Sequence, residues 1–91
     1  MRLGIDKVVG RKGEELMREI RTLRDEYVHT TGREPNKIKM SYPTFIRIKD
    51  YAIENQMMWR RVNEFTREID IRLYGMDLEF VDHMEGVEVY E

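Results

Sequence analysis

The spacing of apolar residues changes period along the chain, and this change constrains the fold more than any motif. Leu16, Ile20, Leu23 and Tyr27 follow one another at steps of four, three and four, with Met17 and Val28 widening the stripe, which is the period of a helix with one buried face. Beyond Ile69 the step falls to two: Ile69, Ile71 and Leu73, then Met76, Leu78 and Phe80, then Val87 and Val89. Alternation of that kind belongs to strands with one buried face. With 91 residues there is room for one such core and not for two.

Glu14 and Glu15 open the first helix, where its positive end favours carboxylates, and Gly32 follows its last turn as a C′ residue. Pro35 prevents continuation, and Lys37-Ile38-Lys39-Met40 alternates as a short strand. Ser41 is placed as the N-cap of a second helix over Tyr42–Glu54, with Pro43 in the first turn, where a missing amide is tolerated. Met58, Val62 and Phe65 continue at helical spacing, so the reading favours a third helical segment over Asn55–Thr66, with Asn55-Gln56 as either a break or a polar turn of one long helix. Asp82–Gly86 is expected to be the turn of a C-terminal hairpin joining the Met76–Val81 alternation to the Val87–Val89 strand. Met1–Gly13, punctuated by three glycines around Val8-Val9, is read as a loosely ordered arm or a short strand. The expected architecture is α+β: an N-terminal arm over residues 1–13, then one domain over 14–91 with two or three helices on one face of a small sheet.

The composition argues against several kinds of chemistry. There is no cysteine, so there is no disulfide framework, thiol nucleophile or thiolate metal site. His29 and His83 are isolated, and the single serine, Ser41, sits in a capping context. Glu64 and Glu68 lie four apart but flank Arg60, Arg61 and Arg67, as on a salt-bridged solvent face. Gly10-Arg11-Lys12-Gly13 precedes a helix as a phosphate-gripping turn does, yet the P-loop ending is missing and Glu14-Glu15 bring like charge to the position. The expectation is a protein without enzymatic activity, cofactor or small-molecule substrate. No apolar run approaches the ~20 residues of a membrane span, so a soluble location is expected.

Charge is divided unevenly. Met1–Met76 carries a balance of +4 and Asp77–Glu91 one of −6, because all sixteen Lys and Arg precede Asp77. The acidic end, with Glu79, Glu88 and Glu91, is read as the solvent face of the expected hairpin or as an edge that meets a basic partner. Met57-Met58-Trp59-Arg60-Arg61 places adaptable and anchoring residues side by side, and one helix face cannot bury them all. Met57, Trp59 and Arg60 are therefore interface candidates, together with the acidic edge. The alternative, a nucleic-acid contact, gathers Arg18 and Arg21 from the first helix with Lys37 and Lys39 from the strand. A pI near 5.7 and interleaved acids weigh against it. A host-directed inhibitor that presents Glu79, Asp82 and Glu88 to a basic surface is a further reading.

The run Thr31-Gly32-Arg33-Glu34-Pro35-Asn36-Lys37-Ile38-Lys39-Met40-Ser41, followed by a helix and later by Tyr74-Gly75-Met76-Asp77-Leu78-Glu79-Phe80-Val81-Asp82, resembles small proteins of tailed bacteriophages. The resemblance spans about residues 31–91 and rests on glycine, proline and apolar positions. It implies a viral protein of structural or accessory role, located in the bacterial host cytoplasm or the virion, and it carries no functional residue. Combined with the interface candidates, it gives the expectation of a phage-type protein acting through protein–protein contact, with itself or with another partner.

Overall fold

A computed structural model describes residues 1–8 and 10–91. Val9, half of the apolar pair expected in the arm, lies outside the described residues. The described residues form an α+β fold, with two helices and a six-stranded mixed sheet.

Helix α1 spans Gly13–Thr31, and its expected stripe is the one it buries: Leu16, Met17, Ile20, Leu23 and Tyr27. Gly32 ends it in the left-handed conformation, φ 72°, and its amide donates to the Val28 carbonyl. Strand β2 is Lys37–Met40, and helix α2 is Tyr42–Glu54. Ser41 caps α2 as expected, its hydroxyl accepting from the Thr44 amide at 3.3 Å. Phe45, Ile48 and Ala52 turn inward from α2. No helix among the described residues is long and apolar enough to cross a membrane.

The remaining strands are β1 (Arg2–Ile5), β3 (Met58–Val62), β4 (Ile69–Leu73), β5 (Met76–Phe80) and β6 (Val87–Tyr90). They lie in the order β1-β6-β2-β5-β4-β3. Only β2 and β5 run parallel; the other pairs are antiparallel. Arg2–Ile5, expected as an arm or short strand, is thus an edge strand on β6, and Val8 reaches the core.

Two expectations need correction. Met58–Val62 is a strand and not a third helical segment, because it forms a hairpin with β4 in which Met58 faces Leu73 and Val62 faces Ile69. The expected C-terminal hairpin is replaced by a different topology: β5 and β6 do not pair with each other but flank β2 on its two sides. The backbone of β2 offers two edges, and filling both satisfies more hydrogen bonds than a local β5–β6 ribbon would.

Register sorts the strand side chains onto two faces. Ile38, Met40, Val87, Val89, Leu73 and Met76 are fully buried against the helices in one cluster with the α1 and α2 residues. The alternate positions face away from the helices, where the sheet is uncovered.

Candidate protein-contact surface

The uncovered face has an ordered row across all six strands. Cross-strand partners place Trp59, Arg72, Asp77, Lys37, Tyr90 and Arg2 side by side from β3 to β1. The next row brings Glu79, Lys39, Glu88 and Gly4 together. Most of these charges are matched within the chain. Arg72 bonds Asp77 at 2.9 Å, Lys39 meets Glu88 at 3.2 Å, and Arg2 meets Glu88 at 3.5 Å. The Tyr90 hydroxyl donates to Glu79, and this bond is the main reason its pKa lies above the ordinary tyrosine value. Arg2 stands over the Tyr90 ring at 4.8 Å. Glu91 lies beside Arg33 at 3.7 Å.

The acidic end is therefore no isolated edge. Glu88 sits on a strand enclosed by β1 and β2; Glu88 and Glu91 meet cations from elsewhere in the chain, and Glu79 accepts from Tyr90 of the same segment. Asp82 and His83 lie exposed in the turn after β5. The four basic residues of the nucleic-acid alternative do not converge: Lys37 and Lys39 point to the uncovered face, whereas Arg18 and Arg21 stand exposed on α1, on the other side of the sheet. Arg18 is also held by Glu14, one turn earlier.

The Gly10–Gly13 turn has a packing role. The Arg47 guanidinium of α2 lies 3.4 Å from the carbonyl oxygens of both Val8 and Arg11, and so occupies the ground before α1. Among the described residues no three His, Cys, Asp or Glu side chains gather as metal ligands would.

The β3–β4 hairpin differs from the rest of the surface. Every residue from Trp59 to Asp70 is exposed. β4 meets β5 at only two register pairs, Arg72 with Asp77 and Leu73 with Met76, so the part of the hairpin beyond them is a two-stranded ribbon. Asn63 shapes its loop: the side-chain oxygen accepts from the amides of Phe65 and Thr66 at 3.0 and 3.3 Å. Phe65 is 98% exposed at the tip and Trp59 71% exposed on the uncovered side, with Val62 and Ile69 also open on the opposite side. Glu64 and Glu68 lie in this loop rather than on a helix face, and no ion pair involves any charged residue from Arg60 to Asp70 among the described residues.

Of the expected interface residues, Trp59 and Arg60 stand on the hairpin, while Met57 is engaged inside the fold. Its amide donates to the Ala52 carbonyl, its carbonyl accepts from the Tyr74 amide, and its sulfur accepts from the Tyr74 hydroxyl at 3.1 Å. Sequence reading misses Val62 and Phe65 as surface residues because their spacing also fits a buried helical stripe. It misses Ile69 because alternation places that residue on the buried face of a strand. No family model matches the chain, and comparison with curated proteins and with solved structures likewise gives no match.

Proposed function

We propose that this is a non-enzymatic accessory or structural protein, of the phage type its sequence resembles, that works by protein–protein contact and self-associates through the β3–β4 hairpin. The observation that carries this reading is the exposure of Trp59, Val62, Phe65 and Ile69 on one projecting element. Isolated exposed apolar residues are ordinary on protein surfaces, but this ribbon carries four, with Trp59 on one face, Val62 and Ile69 on the other and Phe65 at the tip, a concentration of apolar surface of the kind that marks an interface. Tryptophan and arginine are the residues most often responsible for binding energy at such patches, and Trp59, Arg60 and Arg61 occur together.

The test is sedimentation of the native chain over a wide concentration range beside a Trp59→Ala, Phe65→Ser variant. The expected result is concentration-dependent association of the native chain, weakened by at least about tenfold in the variant, as loss of an anchoring aromatic does at an interface. Monomeric behaviour of the native chain up to millimolar concentration would remove the reading.

A further inference from the structure

Resting on that reading, we infer that the hairpin's partner is a second copy of this chain and that the contact is an antiparallel pairing of β3 with β3 about a two-fold axis through Arg60. The hydrogen-bond parity of the hairpin points to it. Tyr74 donates to Met57 and Asn63 donates to Glu68 across the β3–β4 register, so the odd-numbered residues of β3 are the ones bonded to β4. The amides and carbonyls of Met58, Arg60 and Val62 are therefore directed to the outer edge, where the strand order ends and no further strand lies among the described residues.

A strand edge of this kind pairs with itself most completely when all five residues of Met58–Val62 are matched, which places the axis at Arg60. Trp59 then stands opposite Arg61 of the second copy, and Arg61 opposite its Trp59, both in the close non-hydrogen-bonded spacing of about 4.5 Å between Cα atoms. An arginine across from a tryptophan at that distance can lie over the ring. On the helix side, Met58 meets Val62 of the second copy, twice. Continuing the same register carries Phe65 past the end of the partner strand towards the C-terminal end of α2, where Ile53 is 51% exposed.

Other registers are poorer. An axis at Arg61 sets that residue against itself at the close spacing and puts Met58 opposite Glu64. An axis at Trp59 matches fewer residues. The chosen register has one repulsive pair, Arg60 with Arg60, at the wider hydrogen-bonded spacing of about 5.5 Å. That pair also excludes unrelated basic strands, since charge on an edge strand discourages indiscriminate pairing. The pairing turns two unsupported two-stranded ribbons into one four-stranded sheet, and two-stranded ribbons are only marginally stable in water.

The Arg60 pair supplies the test. Equimolar native chain and Arg60→Glu variant are mixed and their dimers counted by native mass spectrometry. A native arginine opposite the variant's carboxylate relieves the like-charge contact of both homodimers, so heterodimers are expected well above the half that random exchange gives. A second variant, Arg60→Pro, removes an outward amide and none of the hairpin's own hydrogen bonds; it is expected to abolish the dimer while the circular dichroism melt stays native. Random proportions in the mixture, or a dimer that survives Arg60→Pro, overturns the β3 pairing and leaves association through another part of the hairpin standing. A native chain that is monomeric throughout overturns both readings. If Arg60→Pro fails to fold, the mixing experiment decides alone.

Discussion

Gly13→Ala lowers the stability of the domain by about 1–3 kcal/mol, the cost of forcing extra volume into packed structure. The usual effect at the start of a helix has the opposite sign, because alanine is the better helix former by roughly 0.5–1 kcal/mol. The difference lies in what a Cβ would meet. It would overlap the Arg47 carbonyl oxygen, with the carbonyl carbon at 3.2 Å and the Ile48 Cα at 3.6 Å. These are backbone atoms of α2 and cannot rotate aside, so α1 and α2 must separate, and Leu16, Met17 and Ile48 lose contact at the crossing. A urea titration should show the midpoint falling with little change in slope. Glu15→Ala, on the exposed side of the same turn, serves as the control and should remain within about 0.5 kcal/mol of the native chain. A midpoint that stays or rises in Gly13→Ala would mean that the helices do not approach as closely as described.

Ile38→Ala should have the larger effect, about 2–5 kcal/mol, from lost burial and the cavity left behind. Ile38 is fully buried at the centre of the sheet, with Val89 on one neighbouring strand and Leu78 on the other at the same level. A domain of ordinary stability has about 5–15 kcal/mol in total, so this one truncation removes a large share of it. Lys37→Ala, one residue away on the same strand, is exposed and should change stability by no more than about 0.5 kcal/mol. Thermal melts of the two variants measure the contrast. Equal effects would mean that the two faces of β2 are not the buried and open faces described.

The elements that could be read from the sequence are those whose signals are local. The α1 stripe has a helical period and nothing else, Gly32 and Ser41 act within one turn of themselves, and β2 is fixed between Pro35 and the Ser41 cap. β3 could not be read in the same way. A step of four, from Met58 to Val62, returns to the same face of a helix and also to the same face of a strand, so the pattern carries both meanings. Phe65 extends the helical meaning by chance, since it stands in a loop. What decides for a strand is pairing with β4, and that partner begins after the Asn63-shaped turn. The topology around β2 is equally hidden, because Met76–Phe80 and Val87–Tyr90 are near in sequence while both pair with β2, a strand from the first half of the chain.

The candidate surface was legible only in part. Adjacent Met, Trp and Arg residues single out Met57, Trp59 and Arg60, and two of these are on the projecting hairpin. Met57 is one residue before the ribbon begins, at the point where the chain leaves α2, and so its contacts are internal. The division of charge at Met76 is visible in the sequence, but its counterpart in space is not: Arg2, Lys39 and Arg33 come from distant segments to meet Glu88 and Glu91. A net charge that looks uneven along the chain is thus compensated in part on the folded surface, through Asp77, Glu88 and Glu91, while the charges from Arg60 to Asp70 are left to the solvent.

The placement of β2 bears on how the domain comes apart. Its four residues bond β6 on one side and β5 on the other. Without them the sheet separates into a β1–β6 pair, still against α1, and a β5–β4–β3 meander that α2 touches at β3, and the one apolar cluster the two halves share is divided. Because that single cluster spans both halves, loss of β2 is expected to unfold the core as one cooperative event. The backbone amides of Ile38 and Met40 should exchange with solvent deuterium only through that global event, while those of the ribbon between Arg60 and Ile71 exchange by local opening at far lower free energy. The molecule thus keeps its loosest structure in the projecting ribbon and its most secure structure at the strand that joins its two halves.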